Sequence, residues 1–162
     1  MDQPSSPPLI VIGLGNPLLG DDGVGWKVVE ALNPLLARSG IETDLLAGGG
    51  LSLMERLIGY DRAVIVDAIC SGAPVGSLIH LGVNDRPTQR SASAHDVDLP
   101  TALSLGRRVG AHLPPSEQIT ILAIEAEDVV SFGETLTPEV ESAIPLATQA
   151  VLQLLGVEKE CA

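Results

Sequence analysis

A chain of 162 residues fits a single domain, and a domain of that size buries roughly 70% of the surface its unfolded form exposes. With 45% hydrophobic residues and only Trp26, Tyr60 and Phe132 as aromatics, the core must be aliphatic, and stacking on nucleobases is not expected. The formal charge of −12, from 9 Lys and Arg against 21 Asp and Glu, repels polyanions, so neither nucleic acid nor an anionic membrane is an expected partner.

Residues 1–8, with three prolines and two serines, read as an extended leader without the basic and apolar regions of an export signal. No window reaches about 18 uninterrupted apolar residues. A soluble cytoplasmic protein is expected, with one domain over residues 9–157 and a tail at 158–162. Leu9 to Leu14 is a continuous apolar run, the mark of a strand buried on both faces. From Asp22 to about Ala37, Val24, Val28, Ala31, Leu32 and Leu35 keep helical spacing. Asp21 is placed to cap that helix, and Ser39-Gly40 to stop it.

Ile41 to Ala47 predicts a second strand and Leu51 to Ile58 a short helix. Ala63 to Ile69 is the clearest strand in the chain. Only about seven residues separate it from Ser77 to Leu81, too few for a crossover helix, so these two strands are predicted to form an antiparallel hairpin. Asn84 to Asp96 is the longest expected loop and a candidate lid or binding segment. A helix from about Asp98 to His112, a strand from Ile119 to Ile124, an acidic loop from Glu125 to Glu134 and a helix from Pro138 to Leu155 complete the order. The expectation is a three-layer α/β/α domain whose mostly parallel sheet of about five strands carries one antiparallel strand.

In such sheets ligands gather at the carboxyl ends of the strands. Three metal-capable side chains are predicted there. Asp22 follows the first strand, Asp67 ends the third, and His95 lies on the long loop. An ionised carboxylate after Val64-Ile65-Val66 is costly unless a cation or several donors compensate it, which singles out Asp67. Of the adjacent pair, Asp21 is assigned to the helix cap and Asp22 to the site. His80 and His112 are not expected to be catalytic. Cys161 falls in the tail, and Cys70 reads as a small buried or loop residue rather than a soft ligand. Two carboxylates and an imidazole suit nickel, zinc, manganese or iron, and hydrolysis is the default chemistry of such a set.

The run Gly13-x-Gly15-Asn16-Pro17-Leu18-x-x-Asp21-Asp22-Gly23-x-Gly25, with Val66-Asp67-Ala68 and Ser93-Ala94-His95, resembles the hydrogenase maturation proteases over residues 9 to 155. These are endopeptidases that trim the large subunit of nickel-iron hydrogenases. The resemblance implies a phosphorylase/hydrolase-like fold. It also implies removal of a C-terminal peptide from the nickel-loaded precursor, with Asp22, Asp67 and His95 contacting the metal. The nickel would come with the substrate rather than reside in the enzyme, so the free protein is expected to bind it weakly. Many members have glutamate where Asp22 stands. Many also carry an Asp-Gly-Gly-Thr type segment where this chain reads Ala47-Gly48-Gly49-Gly50-Leu51, a departure that points to a different hydrogenase partner. Gly48 and Gly49 are candidates for letting a substrate backbone approach closely.

Three other readings stand beside this one. Peptidyl-tRNA hydrolase opens with a similar Gly-Leu-Gly-Asn-Pro turn, but the Asp21-Asp22 pair replaces its expected His and Asn, and the charge opposes tRNA. A dinucleotide-binding module would need G-x-G-x-x-G, which the spacing of Gly13, Gly15 and Gly20 breaks. A catalytically silent metal-binding protein would keep all three ligands and lack cleavage.

Overall fold

The computed structural model describes residues 7–85 and 97–158. In chain order the elements are β1 (Leu9–Leu14), a 3-10 turn (Gly20–Gly23), α1 (Val24–Ala37), β2 (Glu42–Leu46), α2 (Gly50–Leu57), β3 (Arg62–Ile69), β4 (Leu78–Leu81), α3 (Leu99–Arg108), a second 3-10 turn (Ser116–Gln118), β5 (Ile119–Glu125) and α4 (Pro138–Leu155). The strands form one sheet in the order β2-β1-β3-β5-β4. All neighbours run parallel except β4, which is antiparallel to β5.

Side-chain alternation along the apolar strands builds a core on each face of the sheet. Val64, Val66 and Ala68 of β3 face Val28, Leu32 and Leu36 of α1 and Val140, Ala147 and Val151 of α4. Ala63 and Ile65 face the other way, onto Leu53 and Leu57 of α2 and Leu99 and Leu103 of α3. The three layers follow directly from that alternation. Each fully buried Leu or Ile contributes about 1.5–3 kcal/mol through the area it removes from water.

The expected hairpin between β3 and β4 does not form, because β5 lies between them. β5 is apolar and buried along nearly its whole length and so requires a neighbour on each side. β4 is only partly buried, exposes His80, and therefore suits the edge of the sheet. Its antiparallel direction is as predicted, and its partner is not. α3 is shorter than expected. It starts on Asp98, whose carboxylate accepts from the Thr101 N–H at 2.8 Å, and ends at Arg108, two residues before Gly110 at φ +86°.

Two glycines let α1 press against the sheet. A Cβ on Gly25 would lie 2.3 Å from the Val66 carbonyl oxygen and 2.7 Å from that of Leu14, and one on Gly13 would lie 2.6 Å from the Gly25 oxygen. Backbone atoms cannot yield as a side chain would. Gly25→Ala is therefore expected to destabilise the fold by about 2–3 kcal/mol, read as a lower urea midpoint. An unchanged midpoint would mean that α1 is not held this closely.

Candidate active site

β1 delivers the chain to the carboxyl edge of the sheet, where the acidic motif turns back into α1. The Gly15 N–H donates to the Leu46 carbonyl at 3.0 Å, tying the turn to the end of β2. The Asn16 side-chain oxygen accepts from the Leu18 N–H at 3.0 Å, and the Asn16 N–H donates to Oδ2 of Asp22 at 2.8 Å. Trp26, on the first turn of α1, donates its indole N–H to the same Leu46 carbonyl at 3.2 Å. These bonds orient Asp22, which is partly exposed, over the end of β1.

Asp21 behaves differently, and not as the expected cap. The residue at the N-cap of α1 is Gly23, and no side chain caps the helix. Asp21 is 0% exposed, and its carboxylate turns toward the segment between β5 and α4. It accepts from the N–H groups of Glu127 and Asp128 at 3.0 Å each and of Thr137 at 2.7 Å, and from the Thr137 hydroxyl at 2.9 Å. Burial opposes the charge, but those donors outweigh it and hold the carboxyl below its ordinary value. Asp21 is thus a structural carboxylate that ties the motif to the segment before α4, and not the cap of α1.

Asp67 sits one residue past the pairing of Gly13 with Val66, in register with Ala123 of β5, and is 4% exposed. Its Oδ1 accepts from the Ala68 N–H at 2.8 Å. By alternation with Ala63 and Ile65 it leaves β3 on the face covered by α2 and α3. The 3-10 turn that carries Asp22 packs against β3, so the two carboxylates share one edge of neighbouring strands.

A further buried acid was not anticipated. Glu125 ends β5 at 2% exposure, and its carboxylate accepts from the Ser71 N–H at 2.8 Å, the Ser71 hydroxyl at 2.6 Å and the Gly72 N–H at 3.0 Å. The sequence pattern places it at the start of an acidic loop. The signal that marked Asp67, a carboxylate closing an apolar run, was present after Ile121-Leu122-Ala123-Ile124 as well. Glu125 closes the loop that carries Cys70, an exposed loop residue, one of the two placements expected of it. Partial desolvation, then the charges of Glu125, Asp22 and Asp21, raise the Cys70 thiol above its ordinary value and disfavour the thiolate a metal would need. The same three carboxylates make this edge electronegative, a setting that attracts cations.

His95 lies outside the described residues, so the three-ligand arrangement is not assembled among them. Among the described residues no group of three His, Cys, Asp or Glu side chains is placed to hold a metal ion. The chain re-enters the described structure at Val97, and it does so on this edge. A Cβ on Gly50 would lie 2.1 Å from the Val97 carbonyl oxygen. Of the three consecutive glycines, Gly50 is thus the buried one that permits a close backbone approach, and the approach is by the chain itself. Gly48 is exposed and Gly49 is the N-cap of α2. His112, beyond α3, pairs with Asp61 at 2.6 Å beside the start of β3, at the opposite edge of the sheet.

An open, mostly parallel α/β sheet with acidic side chains at the carboxyl ends of adjacent strands defines an α/β enzyme architecture. The family model for hydrogenase maturation proteases matches residues 26–154, and the chain belongs to that family. Its peptidase activity is the activity class that fold and match together assign. The chain is 31% identical over 160 residues to the hydrogenase expression/formation protein HupD of Rhizobium leguminosarum bv. viciae, covering 96% of this chain and 77% of that one. It is 31% identical over 159 residues to the hydrogenase 2 maturation protease of Escherichia coli K12, covering 93% of each. Among solved structures, the hydrogenase maturating endopeptidase HybD from Escherichia coli superposes with a TM-score of 0.70 at 27% identity, covering 91% of both chains. The family match displaces the tRNA hydrolase and dinucleotide-binding alternatives. Among the described residues no helix is long and apolar enough to cross a membrane.

Proposed function

We propose that this chain is a cytoplasmic endopeptidase that removes a C-terminal peptide from the nickel-loaded precursor of a nickel-iron hydrogenase large subunit. The observation that carries the reading is the placement of Asp22 and Asp67 on one electronegative edge, in a chain related along most of its length to hydrogenase maturation proteases. Nickel belongs to the substrate. Asp22, Asp67 and His95 receive it, and a divalent ion held there supplies charge that polarises the neighbouring carbonyl. Docking the ion sets the scissile bond beside a carboxylate, which takes a proton from the attacking water. The water oxygen adds to the carbonyl carbon, the C–N bond breaks, and the proton passes to the departing amine. Cleavage then reports that the precursor has been correctly loaded.

The test is to incubate the purified protein with a large-subunit precursor, with and without its nickel, and to weigh the products by mass spectrometry. Loss of a short C-terminal peptide only from the nickel-loaded form is the expected outcome. No cleavage of either form would favour the catalytically silent reading, and equal cleavage of both would remove nickel as the recognition element.

A further inference from the structure

The segment between β5 and α4 holds two large apolar side chains out in solvent on a tightly bonded backbone. Phe132 is 83% exposed and Val130 is 79% exposed. Their neighbours Val129 and Leu136 turn inward and pack on the core beside α1 and α4, so the loop is anchored rather than loose. Asp128 accepts from the N–H groups of Val130 at 3.1 Å and Ser131 at 2.9 Å, which fixes the turn bearing both apolar residues. The loop is also strapped to the motif. The Gly133 N–H donates to the Leu18 carbonyl at 2.7 Å, the Gly20 N–H to the Gly133 carbonyl at 2.9 Å, and the Asp21 N–H to the Asp128 carbonyl at 2.7 Å. Leu18, on the facing strap, is itself 44% exposed.

Charge narrows the choice of occupant. Between His112 and Lys159 the only ionisable side chains are Asp and Glu, and Glu127 and Glu134 are exposed on this loop. A second copy of a chain carrying −12 would bring like charge to the same surface. A cationic polypeptide segment with an apolar side chain complements it on both counts.

We propose that Phe132 and Val130, rimmed by Glu127, Asp128 and Glu134, form a docking surface for a basic, apolar-bearing segment of the precursor protein, away from its scissile bond. The inference rests on the function proposed above and adds to it the surface that selects the client. Because the loop is bonded to Gly20 and Asp21, a segment docked there is held next to Asp22. Rigid backbone leaves little to order on binding, so the apolar pair acts as a preformed anchor.

Both side chains are exposed, so the double variant Phe132→Ser/Val130→Ser should fold and melt as wild type does. Steady-state cleavage of a purified nickel-loaded precursor is expected to show KM raised about tenfold or more, with kcat within about twofold. Added salt should raise KM for wild type and do so less for Glu127→Gln/Glu134→Gln. An unchanged KM, or a fall in kcat at constant KM, would overturn the docking role while leaving the peptidase assignment intact. Failure of wild type to cleave any precursor would instead sink the functional reading, and the docking inference with it. A dimer detected by sedimentation and dissolved by Phe132→Ser would assign the surface to a second copy and overturn the proposal.

Discussion

Asp67→Asn is expected to lower the rate of precursor cleavage by about a thousandfold while leaving the protein folded. The amide has nearly the shape of the carboxylate, and its oxygen can still accept from the Ala68 N–H that Asp67 Oδ1 meets at 2.8 Å. What disappears is the negative charge, at a position only 4% exposed. The change keeps the shape of the side chain, so a melting curve beside the rate separates loss of chemistry from loss of fold. Asp67→Ala, which also removes volume, and His95→Ala should abolish cleavage as well. A time course by mass spectrometry beside a melting curve makes the comparison. Cleavage at the wild-type rate by Asp67→Asn would take this carboxylate out of the reaction.

Asp21→Ala should have the largest effect on stability, with a loss of about 3–5 kcal/mol, because three N–H donors and a hydroxyl lose a fully buried acceptor together. That is a large share of the 5–15 kcal/mol by which domains are typically stable. Asp21 also makes stability depend on pH. Its folded-state carboxyl lies below the ordinary 3.8, since the N–H groups of Asp128, Thr137 and Glu127 and the Thr137 hydroxyl outweigh the effect of burial. A carboxyl lowered by folding stabilises the native state fully above the unfolded value. That contribution is lost as pH falls through the lower folded value. Urea unfolding followed from neutral pH to below 3.8 should show wild type losing stability that Asp21→Asn, already weakened, does not lose. Parallel curves for the two proteins would refute the role given to this carboxylate.

Most of the secondary structure was legible because apolar periodicity is a local signal. β1, β3 and α4 lie where their patterns place them, and the carboxyl ends of β1 and β3 locate Asp22 and Asp67. The neighbour of β4 was not legible from connection length. A short connection forbids a crossover helix, yet it does not forbid a later strand from entering between the two. The stronger clue was burial demand: Ile119 to Ile124 is apolar on both faces and calls for a central position, whereas His80 marks an edge.

The two adjacent aspartates show the other limit. Both stand before a helix, and either could cap it on local grounds alone. The donors that claim Asp21 come from Glu127, Asp128 and Thr137, more than a hundred residues further along the chain. No spacing rule reaches that far. Glu125 carries the same local signal as Asp67, a carboxylate closing an apolar run, but the acidic residues that follow it mask that signal as the start of a loop. The glycine run was legible as a place of close backbone approach, but it is Gly50 against Val97 that realises it.

Trp26 is the sole tryptophan of the chain, and its indole is bonded to Leu46 beside the glycine that meets Val66. An indole at that spot is a built-in optical label. Its ultraviolet emission comes from the candidate site's rim alone, with no other indole to dilute the signal. Engagement of a client protein can therefore be followed by light in the unmodified molecule, with no dye attached to the edge being observed.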